Sequence, residues 1–134
     1  SFTGSAVKVD KDSYYSLDQV VDEIDGVLYD SGWYRHFNDP EVFYGPDRLM
    51  IPEKLIEKAV EMKIKFFGCD LPSVDGIGSK EKPVHHALLG SDIIIYESLN
   101  NLHQLPLLTP FEFYGFPLPF NGLDGSPVRA VGII

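Results

Sequence analysis

Three short apolar runs decide most of what this chain can become. Val27-Leu28-Tyr29, Ile64 to Gly68 and Ile93-Ile94-Ile95-Tyr96 are rich in β-branched and aromatic side chains, and they read as buried strands. Between the first two lies a stretch of helical period. Leu55, Ile56, Ala59, Val60 and Met62 supply its apolar stripe, while Glu53, Lys54, Glu57, Lys58 and Glu61 supply its wet side. Pro52 stands where a first-turn proline is tolerated. Between the second and third runs, Ala87-Leu88-Leu89-Gly90 is a shorter helix-like segment. Strands that alternate with helices predict an α/β fold, a mixed sheet with flanking helices and some parallel pairing.

The rest of the chain adds weaker signals. Ala6 to Val9 alternates as a short strand, and Ser16 is placed to cap a helix over Leu17 to Ile24. Gly32 to Phe37 is aromatic and irregular, and Asp39-Pro40 breaks it. Asn100 to Leu105 reads as one helical turn. Phe111 to Phe116 and Val128 to Ile134 read as strands joined through the turn-rich Asn121 to Pro127. No internal repeat interrupts this order, and 134 residues suit a single domain, residues 1–134.

Charge and cysteine usage narrow the function classes. A net charge of −9 argues against nucleic acid, which selects for basic patches, and against an anionic membrane surface. No run is long and apolar enough to span a bilayer. A lone cysteine, Cys69, allows no internal disulfide and fits a reducing compartment, so a cytoplasmic location is expected.

The chemistry gathers at one edge of the predicted sheet. His85 precedes the short helix, and Glu97 follows the third apolar run twelve residues later. Two helical turns span roughly 10 Å and four strand residues about 13 Å, so the outward and return paths nearly cancel. Asp70 follows the second run and Asp75 lies in the loop after it. Ligands of open α/β sheets collect outside the carboxyl ends of the strands. An imidazole and a carboxylate meeting there can bind a metal or move a proton. A plainer reading stands beside this one. Loop residues such as Asp70, Ser73 and Asp75 often serve only local backbone, and Trp33, with the aromatics around it, serves packing or lines a substrate pocket.

Four blocks carry a resemblance to a known family. They are Tyr29-Asp30-Ser31-Gly32-Trp33, the loop Gly68-Cys69-Asp70-Leu71-Pro72-Ser73-Val74-Asp75, the stretch from His85-His86-Ala87-Leu88-Leu89-Gly90 to Glu97, and Asp124-Gly125-Ser126-Pro127-Val128-Arg129-Ala130. In order and spacing they resemble the cyclase-like metal-dependent hydrolases, the family of kynurenine formamidase and isatin hydrolase. The family's H-x-G-T-H-x-D-x-P-x-H run, which supplies most metal ligands in relatives, has no counterpart here.

The resemblance therefore implies the C-terminal part of a longer hydrolase, with a partial domain of the swivelling β/β/α type. It implies a divalent metal, zinc or manganese, bound mostly by residues outside this chain. His85 and Glu97 match the second-metal or proton-transfer positions. Trp33, Asp70, Ser73 and Asp75 are candidates for the substrate pocket. The implied substrate is a small formamide or cyclic amide, and the implied assembly is a homo-oligomer or a complex with a second chain that supplies the missing part. The alternative is a non-catalytic remnant that serves as an assembly or small-molecule-binding subunit.

Overall fold

The computed structural model describes residues 2–20 and 23–134. Six strands form one mixed sheet: β1 (Phe2–Asp10), β2 (Gly26–Asp30), β3 (Phe66–Cys69), β4 (Ile94–Tyr96), β5 (Phe111–Pro117) and β6 (Val128–Ile133). Their spatial order is β4-β3-β2-β1-β5-β6. The first four are parallel, with Val7 beside Val27, Val27 beside Phe67 and Phe67 beside Ile95. β5 joins β1 antiparallel, and β6 closes a hairpin on β5.

β1 is longer than its apolar signal. Residues 3–5 carry no hydrophobic alternation, yet they pair with β5, Thr3 opposite Tyr114 and Ser5 opposite Glu112. Only β5 lies alongside there, since the register with β2 begins at Ala6, and this ladder holds the segment even where its side chains say little.

Helices cover one face of the parallel half. α1 is Pro40–Phe43, α2 is Glu53–Glu61 and α3 is Pro83–Leu89. Leu55, Ile56 and Ala59 of α2 pack with Val7, Val27 and Phe67, as the sequence stripe requires. Pro52 is the residue that caps α2 rather than its first helical residue. Asp39-Pro40, expected as a break, starts α1 instead. The Asp39 carboxylate accepts the Val42 N–H at 3.4 Å, and Pro40 takes the first helical position, where a missing N–H costs nothing. The helix expected over Leu17 to Ile24 is a 3-10 turn at Tyr14–Gln19, and residues 21 and 22 lie outside the described residues. Ser16 donates its N–H back to Ser13, and Leu17 is the turn's buried side chain, so no long apolar stripe needs to be served.

The other face curls inward. Ala6, Leu28, Phe66, Tyr96, Phe111 and Phe113 form a second core, closed by Leu99 and Leu102 from the segment after β4. β4 and β5 stand four strand positions apart, about 19 Å if the sheet were flat. Yet the Tyr96 and Phe113 rings lie 5.1 Å apart, and the Tyr96 ring occupies the space where a side chain on Gly115 would project. The sheet is therefore a deep trough, with β4 as one rim and β6 as the other.

Candidate active site

Asp75 organises the site. Its carboxylate accepts the Val84 N–H on one oxygen and the His85 N–H on the other, each at 2.9 Å. These are free donors of the first turn of α3, so a loop aspartate caps a helix that its own N-cap, Lys82 with φ 45°, does not cap with a side chain. The Oδ2 that accepts the His85 N–H also bonds the His85 ring at Nδ1, at 2.6 Å. The loop is tightened by Ser73, whose hydroxyl oxygen accepts the Asp75 N–H at 3.2 Å. Arg48 donates to the Asp75 carbonyl at 2.9 Å from the far side.

Burial alone would raise the Asp75 carboxyl. The His85 and Val84 N–H groups and the His85 ring outweigh it and hold the carboxyl below the ordinary carboxylate range. An ionised Asp75 accepts the hydrogen bond of an Nδ1–H, and in that tautomer the free lone pair lies on Nε2. Nε2 faces Glu97 Oε2 at 3.4 Å. The same oxygen accepts the Val74 N–H at 2.9 Å, which fixes the carboxylate against the loop. The ring nitrogen and the carboxylate oxygen thus face each other, a pair that a proton or a cation between or beside them would hold together.

The remaining candidates occupy other surroundings. Asp70 is fully buried and accepts three bonds: from the Ser31 N–H at 3.0 Å, the Ser31 hydroxyl at 2.6 Å and the Tyr34 N–H at 3.2 Å. It ties the end of β3 to the turn after β2. Trp33 lies in the main core at 8% exposure, its indole N–H donating to the Phe43 carbonyl at 3.0 Å. Cys69 is buried, and that burial pushes its thiol up, away from thiolate chemistry. His103 stacks on Tyr34 with centroids 4.4 Å apart, and His36 meets the Trp33 ring edge-on.

Two contributions escaped the sequence reading. Arg48 and the Val74 amide both brace the site, but they act across 27 and 23 residues with no local pattern to announce them. The second concerns the trough itself. A groove of about 1150 Å³ opens beside His85 and Glu97, and Ser126 to Ala130 forms its opposite wall. The Asp124-Gly125-Ser126-Pro127 turn was the available signal.

The donor set fits one side of a metal site and not a whole one. Asp75 behind His85 is the orienting carboxylate that metal-bound histidines commonly have. Among the described residues, however, no group of three or more His, Cys, Asp or Glu side chains is arranged to hold an ion.

Comparison with known proteins bears on the fold and the family. The chain superposes on a potential metal-dependent hydrolase with cyclase activity with a TM-score of 0.73 at 22% identity, over 97% of this chain and 64% of that one. A predicted metal-dependent hydrolase from Bacillus stearothermophilus gives 0.71 at 18% identity, over 97% and 63%. The fold is that of the cyclase-like hydrolases. In sequence, the chain is 36% identical to kynurenine formamidase of Geobacillus thermodenitrificans over 104 residues, which is 78% of this chain and 46% of that protein. It is 36% identical to the Salinibacter ruber kynurenine formamidase over 87 residues, 64% of this chain and 40% of that protein. No protein-family model matches the chain. The chain belongs to the kynurenine formamidase and cyclase-like metal-dependent hydrolase family, and it spans less than half the length of these curated relatives.

Proposed function

We propose that this chain is the C-terminal portion, folded as one domain, of a metal-dependent hydrolase that cleaves a formamide or cyclic amide, with an aryl formamide as the first substrate to try. The observation that carries the proposal is the line Asp75–His85–Glu97, a ring oriented through one nitrogen and offered through the other. Amide hydrolysis forms a carbon–oxygen bond from water, breaks the carbon–nitrogen bond and delivers a proton to the departing nitrogen. In this reading, His85 Nε2 carries that proton, Asp75 holds the ring while it does so, and Glu97 orients the ring from the other side. The divalent cation, zinc or manganese, supplies Lewis acidity toward the amide carbonyl when bound. Residues upstream of this chain would give most of its donors; where His85 Nε2 and Glu97 give two of them instead, Nε2 is a ligand and not the proton carrier. The enzyme so completed is cytoplasmic and oligomeric.

The test is His85→Ala in the completed protein. We expect formamidase turnover to fall at least about 100-fold with the fold intact, the usual scale for losing a positioned acid–base group. Unchanged turnover would remove His85 from the chemistry.

The donor count supports a second reading, a non-catalytic remnant that binds a small molecule or assembles with another subunit. Coding sequence lying before this chain separates the two. A histidine-rich metal motif there favours the enzyme, and unrelated sequence or a stop favours the remnant.

A further inference from the structure

The inner core ends in a hydroxyl that the core does not use. Tyr96 of β4 sends its ring across the trough, edge-on to Phe66 at 6.0 Å and to Phe113 at 5.1 Å. The side chain is packed, and Tyr96 as a whole is 7% exposed. Its oxygen ends at Gly115 of β5, in the space a side chain there would fill. In the ladder, Gly115 lies opposite Ala130 of β6 and Pro117 opposite Val128. Val128 and Ala130 pack against the same inner core, and with Pro117 they line the groove. The hydroxyl therefore stands on an apolar stretch of the groove floor.

A phenylalanine at position 96 would make the same ring contacts, so packing does not account for the oxygen. None of the described residues exchanges a hydrogen bond with it. Yet no fully enclosed side-chain oxygen or nitrogen among them lacks a partner. The Tyr96 oxygen must then reach a surface, and the surface that Tyr96 lines is the groove. Burial holds the phenol above its ordinary value of 10.0, so it keeps its proton and faces the groove as a donor. A donor so nearly enclosed has given up most of its contact with water, and an acceptor on a bound molecule restores the lost bond.

We propose that Tyr96 is a specificity-determining residue, its hydroxyl donating a hydrogen bond to an aryl ligand of this groove that carries an acceptor oxygen on its ring. His85 and Glu97 line the same groove, so one molecule presents its amide to them and its ring acceptor to Tyr96. The inference rests on the proposed hydrolase and deepens it, narrowing the aryl formamide to one with a second, ring-borne acceptor.

The test is probe binding to the full chain, read from the NMR shifts of its backbone amides. The probes are formanilide and its three ring-acetylated isomers. We expect at least one acetylated isomer to bind about 3–10-fold more tightly than formanilide, the scale of one neutral hydrogen bond, with shifts centred on 94–101 and 128–130. Tyr96→Phe should erase that advantage while formanilide affinity and thermal unfolding stay unchanged. Equal binding of all four probes, an advantage that survives in Tyr96→Phe, or no binding in the groove each overturns the proposal. If the advantage fails while the completed protein still turns over formanilide, the subsite falls and the hydrolase stands. If it holds while the completed protein turns over none of the four probes, the subsite stands and the amidase reading falls.

Discussion

The parallel half of the sheet and the β5–β6 hairpin are built from similar apolar residues but meet different surroundings. Phe66 and Phe67, neighbours on β3, point to opposite faces, and both are fully buried. One face of the parallel half is sealed by α1, α2 and α3, and the other by the segment after β4. On the hairpin, Phe111 and Phe113 enter the inner core. Phe116, Val131 and Ile133 lie on the outer side, at 49%, 38% and 52% exposure. The difference lies in coverage and not in composition. A strand flanked by crossover helices receives two lids, whereas a hairpin brings none of its own.

The contrast makes graded predictions. The largest effect is expected in the sealed half. Phe67→Ala should cost about 3–5 kcal/mol by denaturant unfolding, because it removes a ring from a core with no room to collapse. A cost under 1 kcal/mol would mean that the helical lid packs loosely.

At the seam between the regions, Gly115→Ala should cost about 1–3 kcal/mol, since the added methyl meets the buried Tyr96 ring. A neutral result would show that β4 and β5 do not close the trough as described.

Asp75→Asn comes next and is also tested by pH. A carboxyl held below its ordinary value of 3.8 stabilises the fold fully above that pH, and the contribution disappears as pH falls through the depressed value. The variant should be about 1–3 kcal/mol less stable than wild type at neutral pH, and acid titration should bring the two together below pH 3.8. A gap that persists in acid would assign the loss to geometry instead of charge.

The smallest effect belongs to the bare wing. Ile133→Ser should change unfolding by less than about 0.5 kcal/mol in the isolated chain. A loss above 2 kcal/mol would show that this face is already covered, by a second copy for instance.

Much of this arrangement was legible in the sequence because period and composition agreed. The stripe Leu55, Ile56 and Ala59 named the face of α2 that is buried, and the apolar runs at 27–29 and 93–96 fell on β2 and β4. Legibility failed where structure rests on backbone pairing or distant capping. β1 extends through Thr3 to Ser5 because β5 lies alongside, and no side-chain pattern records that. The helix at Asp39-Pro40 was hidden because the same dipeptide ends one element and begins another. At the candidate site, the positions of His85 and Glu97 followed from nearly equal path lengths out and back. The triple duty of Asp75 did not, since a loop aspartate gives no sign of which helix it will serve.

That shared carboxylate has an evolutionary corollary. Folding alone gives a reason to keep Asp75, because without it the start of α3 loses the acceptor for two of its amides. The imidazole at position 85 bears no comparable structural duty. In a lineage drifting away from hydrolysis, the histidine would be replaced first and the aspartate would linger as a fossil. Among descendants of this gene, the identity of residue 85 is therefore the better record of whether selection acts on the proposed hydrolysis.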